Sequence, residues 1–221
     1  MCTNLTVFNY VVCRAEQLSP RRLTLEEMEA RDLEDAKIGE ASYKELVPKV
    51  RLIVQQLKAF SGCEFYVSFG SHPHRGIATV GGDIVLDYSM LNKPVIDIAQ
   101  TLAHEWGHLA LGHVANPHWI KPIEIDPERA EQEADFYSGV FLAAAKANYK
   151  LDDILNLKLE LPDGAHPHGL RVGRAYYIAC GYHHGVERKE MGLEGAPGVH
   201  VFGRSALVVG MPEDVDNKLR N

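Results

Sequence analysis

Leu102-Ala103-His104-Glu105-Trp106-Gly107-His108-Leu109-Ala110-Leu111 is the stretch on which the reading of this 221-residue chain turns. It holds His-Glu-x-x-His at 104–108. On a helix, residues four apart share a face, so His104 and His108 can both reach one Zn²⁺. Glu105 projects close by and can accept a proton from a water that the metal polarises. Five residues alone would also suit a solvated helix with scattered histidines. The flanks argue otherwise: Leu102, Ala103, Leu109, Ala110 and Leu111 are apolar. Two histidines and a glutamate inside an apolar helix require partners, because buried polar groups are costly unless satisfied. A metal is such a partner.

Catalytic zinc takes three protein ligands and keeps one position open. The next histidine, His113, comes one residue too early for the pattern H-E-x-x-H-x-x-G-x-x-H, and Gly112 is out of place for it. The third ligand is therefore sought in Glu131-Gln132-Glu133-Ala134-Asp135. Asp126 as N-cap and Pro127 in the first turn open a helix there. On that helix Glu131 and Asp135 share a face, while Glu133 points roughly the other way. Glu131 can ligate the metal, and Asp135 can accept a hydrogen bond from the second nitrogen of a ligand imidazole. Glu128, one turn earlier, is a rival ligand, and a solvated acidic face is the plainer alternative. An anionic tetrahedral intermediate needs a donor or a positive charge beside it. His166, Arg171, Arg174, Tyr176 and Tyr177 are the candidates.

At this point the chain resembles the zinc metallopeptidases of the HtpX and BepA type, a gluzincin group that includes the CAAX prenyl protease. The segment 77–86, Ile-Ala-Thr-Val-Gly-Gly-Asp-Ile-Val-Leu, resembles the family's N-A-F-A-x-P-G-G-x-I-x-V. The segment 102–108 with His113 resembles its L-A-H-E-x-x-H-x-x-x-x-H, and 131–135 matches its E-x-x-A-D. His166-Pro167 with Arg171 resembles its H-P-x-x-x-x-R. The likeness runs over about residues 35 to 180. It departs at Gly76-Ile77-Ala78-Thr79, where the family has Asn-Ala-Phe-Ala, and at Val80, where it has Pro. The interval from His166 to Arg171 is one residue short, so Arg174 is the alternative for the arginine. The resemblance implies a zincin-like fold, Glu131 as ligand, Asp135 behind a ligand imidazole, and His166 and Arg171 at the oxyanion. It also implies that 83–87 is the edge strand on which an extended peptide pairs. A second resemblance, to regulatory proteases of the ImmA/IrrE type, rests on His-Glu-x-Gly-His, Leu111-Gly112-His113 and the later Glu-x-x-Ala.

A net charge of −7 argues against nucleic acid as a main partner. No apolar run reaches the length of a membrane span. Cys2, Cys13, Cys63 and Cys180 form no C-x-x-C and read as free thiols. The N-terminus lacks a positively charged leader, so a cytoplasmic location is expected, with a periplasmic or membrane-associated one as the alternative. Peptide or protein is the expected substrate, and one zinc per chain the expected cofactor.

The elements follow from periodicity and punctuation. A strand is expected at 5–12 and a helix at about 25–38, opened by the capping box Thr24-Leu25-Glu26-Glu27. Pro48 is expected to open the next helix, with Val50, Ile53, Val54 and Leu57 as its stripe. Strands are expected at 64–69, 77–79 and 83–87, with His72 and His74 in an exposed loop. The motif helix should run from Pro94 to about His113 and the glutamate helix from Pro127 to about Ala147. His118 and Trp119 lie in the connection between them. Residues 151–161 are amphipathic, and a last helix is expected from about 170 to Cys180. Short strands are possible at 199–202 and 206–209. The fold expected is α+β: a small mixed or antiparallel sheet beside the motif helix, with the glutamate helix packed across it. It is read as one metallopeptidase domain, helical at 20–62, catalytic at 63–182 and irregular at 183–221. The expected activity is zinc-dependent endopeptidase; a non-catalytic zinc-containing binding module is the rival from another class.

Overall fold

The computed structural model describes residues 40–61, 65–70, 75–79, 82–114, 126–145, 149–160, 170–193 and 195. The fold is α+β. Among the described residues, five α-helices accompany a three-stranded mixed sheet. The features expected at 5–12, 25–38, 199–202 and 206–209 lie outside these residues, as do His72, His74, His118, Trp119 and His166.

Helix α1 (Glu40–Ser61) buries Val47, Val50, Ile53, Val54, Leu57 and Phe60. Pro48 does not open this helix but lies within it. An interior proline costs about 3 kcal/mol or more. Six buried apolar side chains, at roughly 1.5–3 kcal/mol each, outweigh that, and Pro48 itself sits on the exposed side.

Strands β1 (Tyr66–Gly70), β2 (Gly76–Ala78) and β3 (Asp83–Asp87) form a sheet in the order β1-β3-β2. β1 runs parallel to β3, and β2 antiparallel to it. The expectation that 83–87 is the edge strand is thereby corrected. β3 is paired on both sides, with Ile84 and Leu86 fully buried, and among the described residues the edges of the sheet are β1 and the three-residue β2. A 3₁₀ turn (Tyr88–Asn92) leads into helix α2 (Val95–Ala110), which carries His-Glu-Trp-Gly-His.

Helix α3 (Pro127–Ala144) begins as its sequence dictates, with the Asp126 side chain accepting from the Arg129 amide and Pro127 in the first turn. Helix α4 (Leu151–Glu160) is the amphipathic segment. Helix α5 (Arg171–Glu190) runs ten residues past the expected stop at Cys180, into the stretch expected to be irregular. The glycines along this helix are sites of close approach. An ideal Cβ on Gly181 would stand 1.9 Å from the Phe136 carbonyl oxygen, and one on Gly185 would stand 2.8 Å from that of Val140. On the facing helix, a Cβ on Gly139 would stand 2.1 Å from the Ile178 carbonyl oxygen. The backbones of α3 and α5 thus meet at three glycines, and the contact holds α5 helical where its local propensity is poor.

Trp106 joins the motif helix to this pair. It is fully buried, stacked on Tyr137 with ring centroids 5.3 Å apart and edge-on to Phe65. None of the described helices is long and apolar enough to cross a membrane.

Candidate metal centre

α2 and α3 bring their polar faces together because both are small where they cross. A Cβ on Gly107 would lie 3.1 Å from the Cα of Ala134, so the glycine lets the two backbones close up. His104, His108 and Glu131 converge as a result. His104 Nε2 lies 3.2 Å from His108 Nε2 and 3.2 Å from Glu131 Oε2, and His108 Nε2 lies 3.4 Å from Glu131 Oε1. Bonds of about 2.0–2.1 Å at a tetrahedral angle separate donors by about 3.3 Å, so the two nitrogens stand from each other, and each from one Glu131 oxygen, at a spacing that one metal ion could bridge. Glu128, the rival ligand, is exposed and accepts from the Gln132 amide.

The hydrogen positions follow from the carboxylates. Asp135 Oδ1 lies 3.0 Å from His104 Nδ1, so Nδ1 carries a hydrogen and Nε2 is the nitrogen turned to the cluster, where a proton or a metal ion can occupy it. Asp135 is itself gripped by a two-pronged bond from Arg174, Nε to Oδ2 at 2.7 Å and Nη2 to Oδ1 at 2.9 Å. Lys158 Nζ stands 3.9 Å from Oδ1. Burial alone would raise the Asp135 carboxyl, but the charges of Arg174, Lys158 and His104 hold it well below the usual carboxylate range. Burial opposes charging of His104, yet Asp135 and Glu131 outweigh it and push the imidazole up to about 9. Burial moves His108 the other way, down. Electron-pair donors aimed at one point demand a positive charge there. A proton meets that demand weakly and a divalent cation meets it fully.

His108 is held from behind by His113, which is not among the converging ligands. The two Nδ1 atoms are 3.1 Å apart, and His113 Nε2 lies 3.2 Å from Glu133 Oε2. Glu133 also accepts from Arg129 Nε at 2.9 Å. Burial would raise its carboxyl, but these two partners hold it below its ordinary value. The glutamate expected to point away from the site is thus joined to it through His113.

Comparison with models of known families, with curated proteins and with solved structures found no match.

Glu105 is buried next to the ligands, and the Ala78 amide of β2 donates to its Oε2 at 2.9 Å. Gly76 makes this possible, since a Cβ there would lie 2.9 Å from Thr101 Cγ2 and 3.1 Å from Glu105 Cγ. Arg171 sits exposed in the first turn of α5. The arginine that the helix turns toward the cluster is Arg174, which grips Asp135 and stands with Nη2 3.9 Å from Glu131 Oε2. Tyr176 and Tyr177 pack on one another. Burial and a hydrogen bond with Cys180 push the Tyr176 hydroxyl up to about 12.

Lys158 and the link from Glu133 to His113 were the residues not anticipated. Lys158 had a signal: it occupies the buried stripe of α4 with Ile154 and Leu155, where an amphipathic helix otherwise places apolar residues. The Glu133 link had only the Arg129–Glu133 spacing of four, which also suits an ordinary surface pair.

Proposed function

We propose that the chain is a zinc-dependent peptidase. The observation that carries this reading is the convergence of His104 Nε2, His108 Nε2 and the Glu131 carboxylate, one oxygen near each imidazole, beside a buried glutamate on the helix of the two histidines. His104, His108 and Glu131 would hold the metal. Bound zinc supplies a Lewis acid and lowers the pKa of a water to about 7. Glu105 takes the proton of the attacking water and delivers it to the leaving amine. The Ala78 amide fixes the Glu105 carboxylate through Oε2, which leaves Oε1 for that transfer. Asp135, clamped by Arg174, fixes the orientation and tautomer of His104. The likeness to the HtpX and BepA type supports the same assignment, with His166 as the proposed oxyanion donor. Arg171 has weaker support than Arg174, which is the arginine near the ligands.

The first test is metal content. Purified protein should carry about one zinc per chain, and Glu131→Ala should lose most of it at matched concentration. A variant with full zinc would remove Glu131 from the ligand set. Hydrolysis of a fluorescent casein should disappear with chelator and return with zinc.

One observation favours a second reading, a non-catalytic zinc-containing module. The bond from Ala78 gives Glu105 a structural use, tying β2 to α2. Under that reading the zinc-loaded protein hydrolyses nothing, and Glu105→Gln changes only stability.

A further inference from the structure

We infer that His113 and Glu133 form a second orienting arm for the metal, acting through His108 as Asp135 acts through His104. This rests on the zinc reading of the ligand cluster and adds residues that the ligand pattern does not contain.

The arm is built into the end of helix α2. Gly112 has φ +74° and closes the helix in the left-handed region. The amide of Gly112 bonds to the Leu109 carbonyl at 3.3 Å, and that of His113 to the His108 carbonyl at 2.9 Å. This pair of bonds is the Schellman cap. It ties the backbone of His113 to that of His108, so the two rings meet edge to face with centroids 5.2 Å apart. The His113 side chain is 3 % exposed, and its polar atoms therefore need partners inside the protein.

Those partners settle each hydrogen in turn. Glu133, fixed by Arg129, offers only acceptor oxygens, so His113 Nε2 is a donor. With its hydrogen on Nε2, His113 presents a lone pair at Nδ1. That lone pair accepts from His108 Nδ1–H across 3.1 Å. His108 Nε2 is left without a hydrogen and faces the same point as His104 Nε2. Both ligand imidazoles are thereby held in the tautomer that binds a metal, one by a carboxylate directly and one by a carboxylate through a second imidazole. Partners of this kind typically change metal affinity by about 10–100-fold.

The test is zinc affinity by competition with a chromophoric chelator, together with the absorption spectrum of the Co²⁺-loaded protein. His113→Phe keeps a ring in the pocket but cannot accept from His108. It should weaken zinc binding by about 10–100-fold and alter the Co²⁺ bands. His113→Asn places a carbonyl oxygen close to the position of Nδ1 and should recover most of the loss. Glu133→Ala touches neither proposed ligand and leaves all three imidazoles in place. It should weaken binding in the same direction. Wild-type affinity and an unchanged Co²⁺ spectrum in both His113→Phe and Glu133→Ala would overturn the arm and leave the zinc site standing. A wild-type protein that takes up no zinc would overturn both.

Discussion

Each polar residue of the cluster has a distinct environment, and each environment predicts a distinct failure. Glu105 is buried but does not belong to the converging ligands. Glu105→Gln should therefore keep about one zinc per chain while casein hydrolysis falls about 10²–10⁴-fold, the usual contribution of a general base. Unchanged turnover would exclude Glu105 from proton transfer. Lys158 makes a different prediction. Burial lowers its ammonium to about 8 against the attraction of Asp135, whereas an unfolded lysine titrates near 10.4. Its folded pKa is depressed, so the charged form costs stability below about 8. That cost fades as pH rises toward about 10.4, because there the unfolded chain holds more protons. Asp135 retains Arg174 and His104 without it. Lys158→Met should thus be more stable than wild type at pH 7 in urea melts, with the margin shrinking by pH 10. A margin that grows with pH would contradict the assignment.

At the level of the element, the site exists because helices come close where glycine permits it. Gly107 sets the distance between α2 and α3, with the Ala134 backbone 3.1 Å from where a Cβ would stand. Gly107→Leu should push the helices apart, carry Glu131 away from both histidines and abolish tight zinc binding, read by the same competition assay. The glycines of α5 separate two effects that usually mix. Alanine in a helix interior gains roughly 0.5–1 kcal/mol over glycine. At Gly173 nothing lies within 4 Å of the added Cβ, so Gly173→Ala should show that gain in a denaturant melt. At Gly181 the Cβ would meet the Phe136 carbonyl oxygen at 1.9 Å. Backbone cannot give way as a side chain does, and overpacking of about 1–3 kcal/mol outweighs the propensity. Gly181→Ala should therefore destabilise, and equal effects at the two positions would refute the close contact of α3 and α5.

Across the whole molecule, legibility followed the range of the interactions. His104, Glu105 and His108 were legible because a helix fixes their spacing locally, and Asp126-Pro127 marked the start of α3 for the same reason. The extension of α5 and the helix running through Pro48 were not, since burial against distant elements decides both. Strand segments were readable, but their order was not: nothing local says that β3 lies between β1 and β2. Glu133 was misplaced for the same reason, because its partner His113 is twenty residues away in sequence. This division bears on how the molecule responds to metal. The three candidate donors come from α2 and α3, which share one core through Trp106 and Tyr137, so an ion held there would join two elements of that core rather than a peripheral loop. Zinc that binds only the folded form then stabilises it by RT ln(1 + [Zn]/Kd), about 4 kcal/mol when free zinc is 1,000-fold above Kd. The melting temperature should rise with free zinc and fall on chelation, as one cooperative transition. Glu131→Ala should melt near the chelated wild type and no longer respond to zinc. A melting temperature indifferent to zinc in the wild type would mean that the three donors meet without holding an ion.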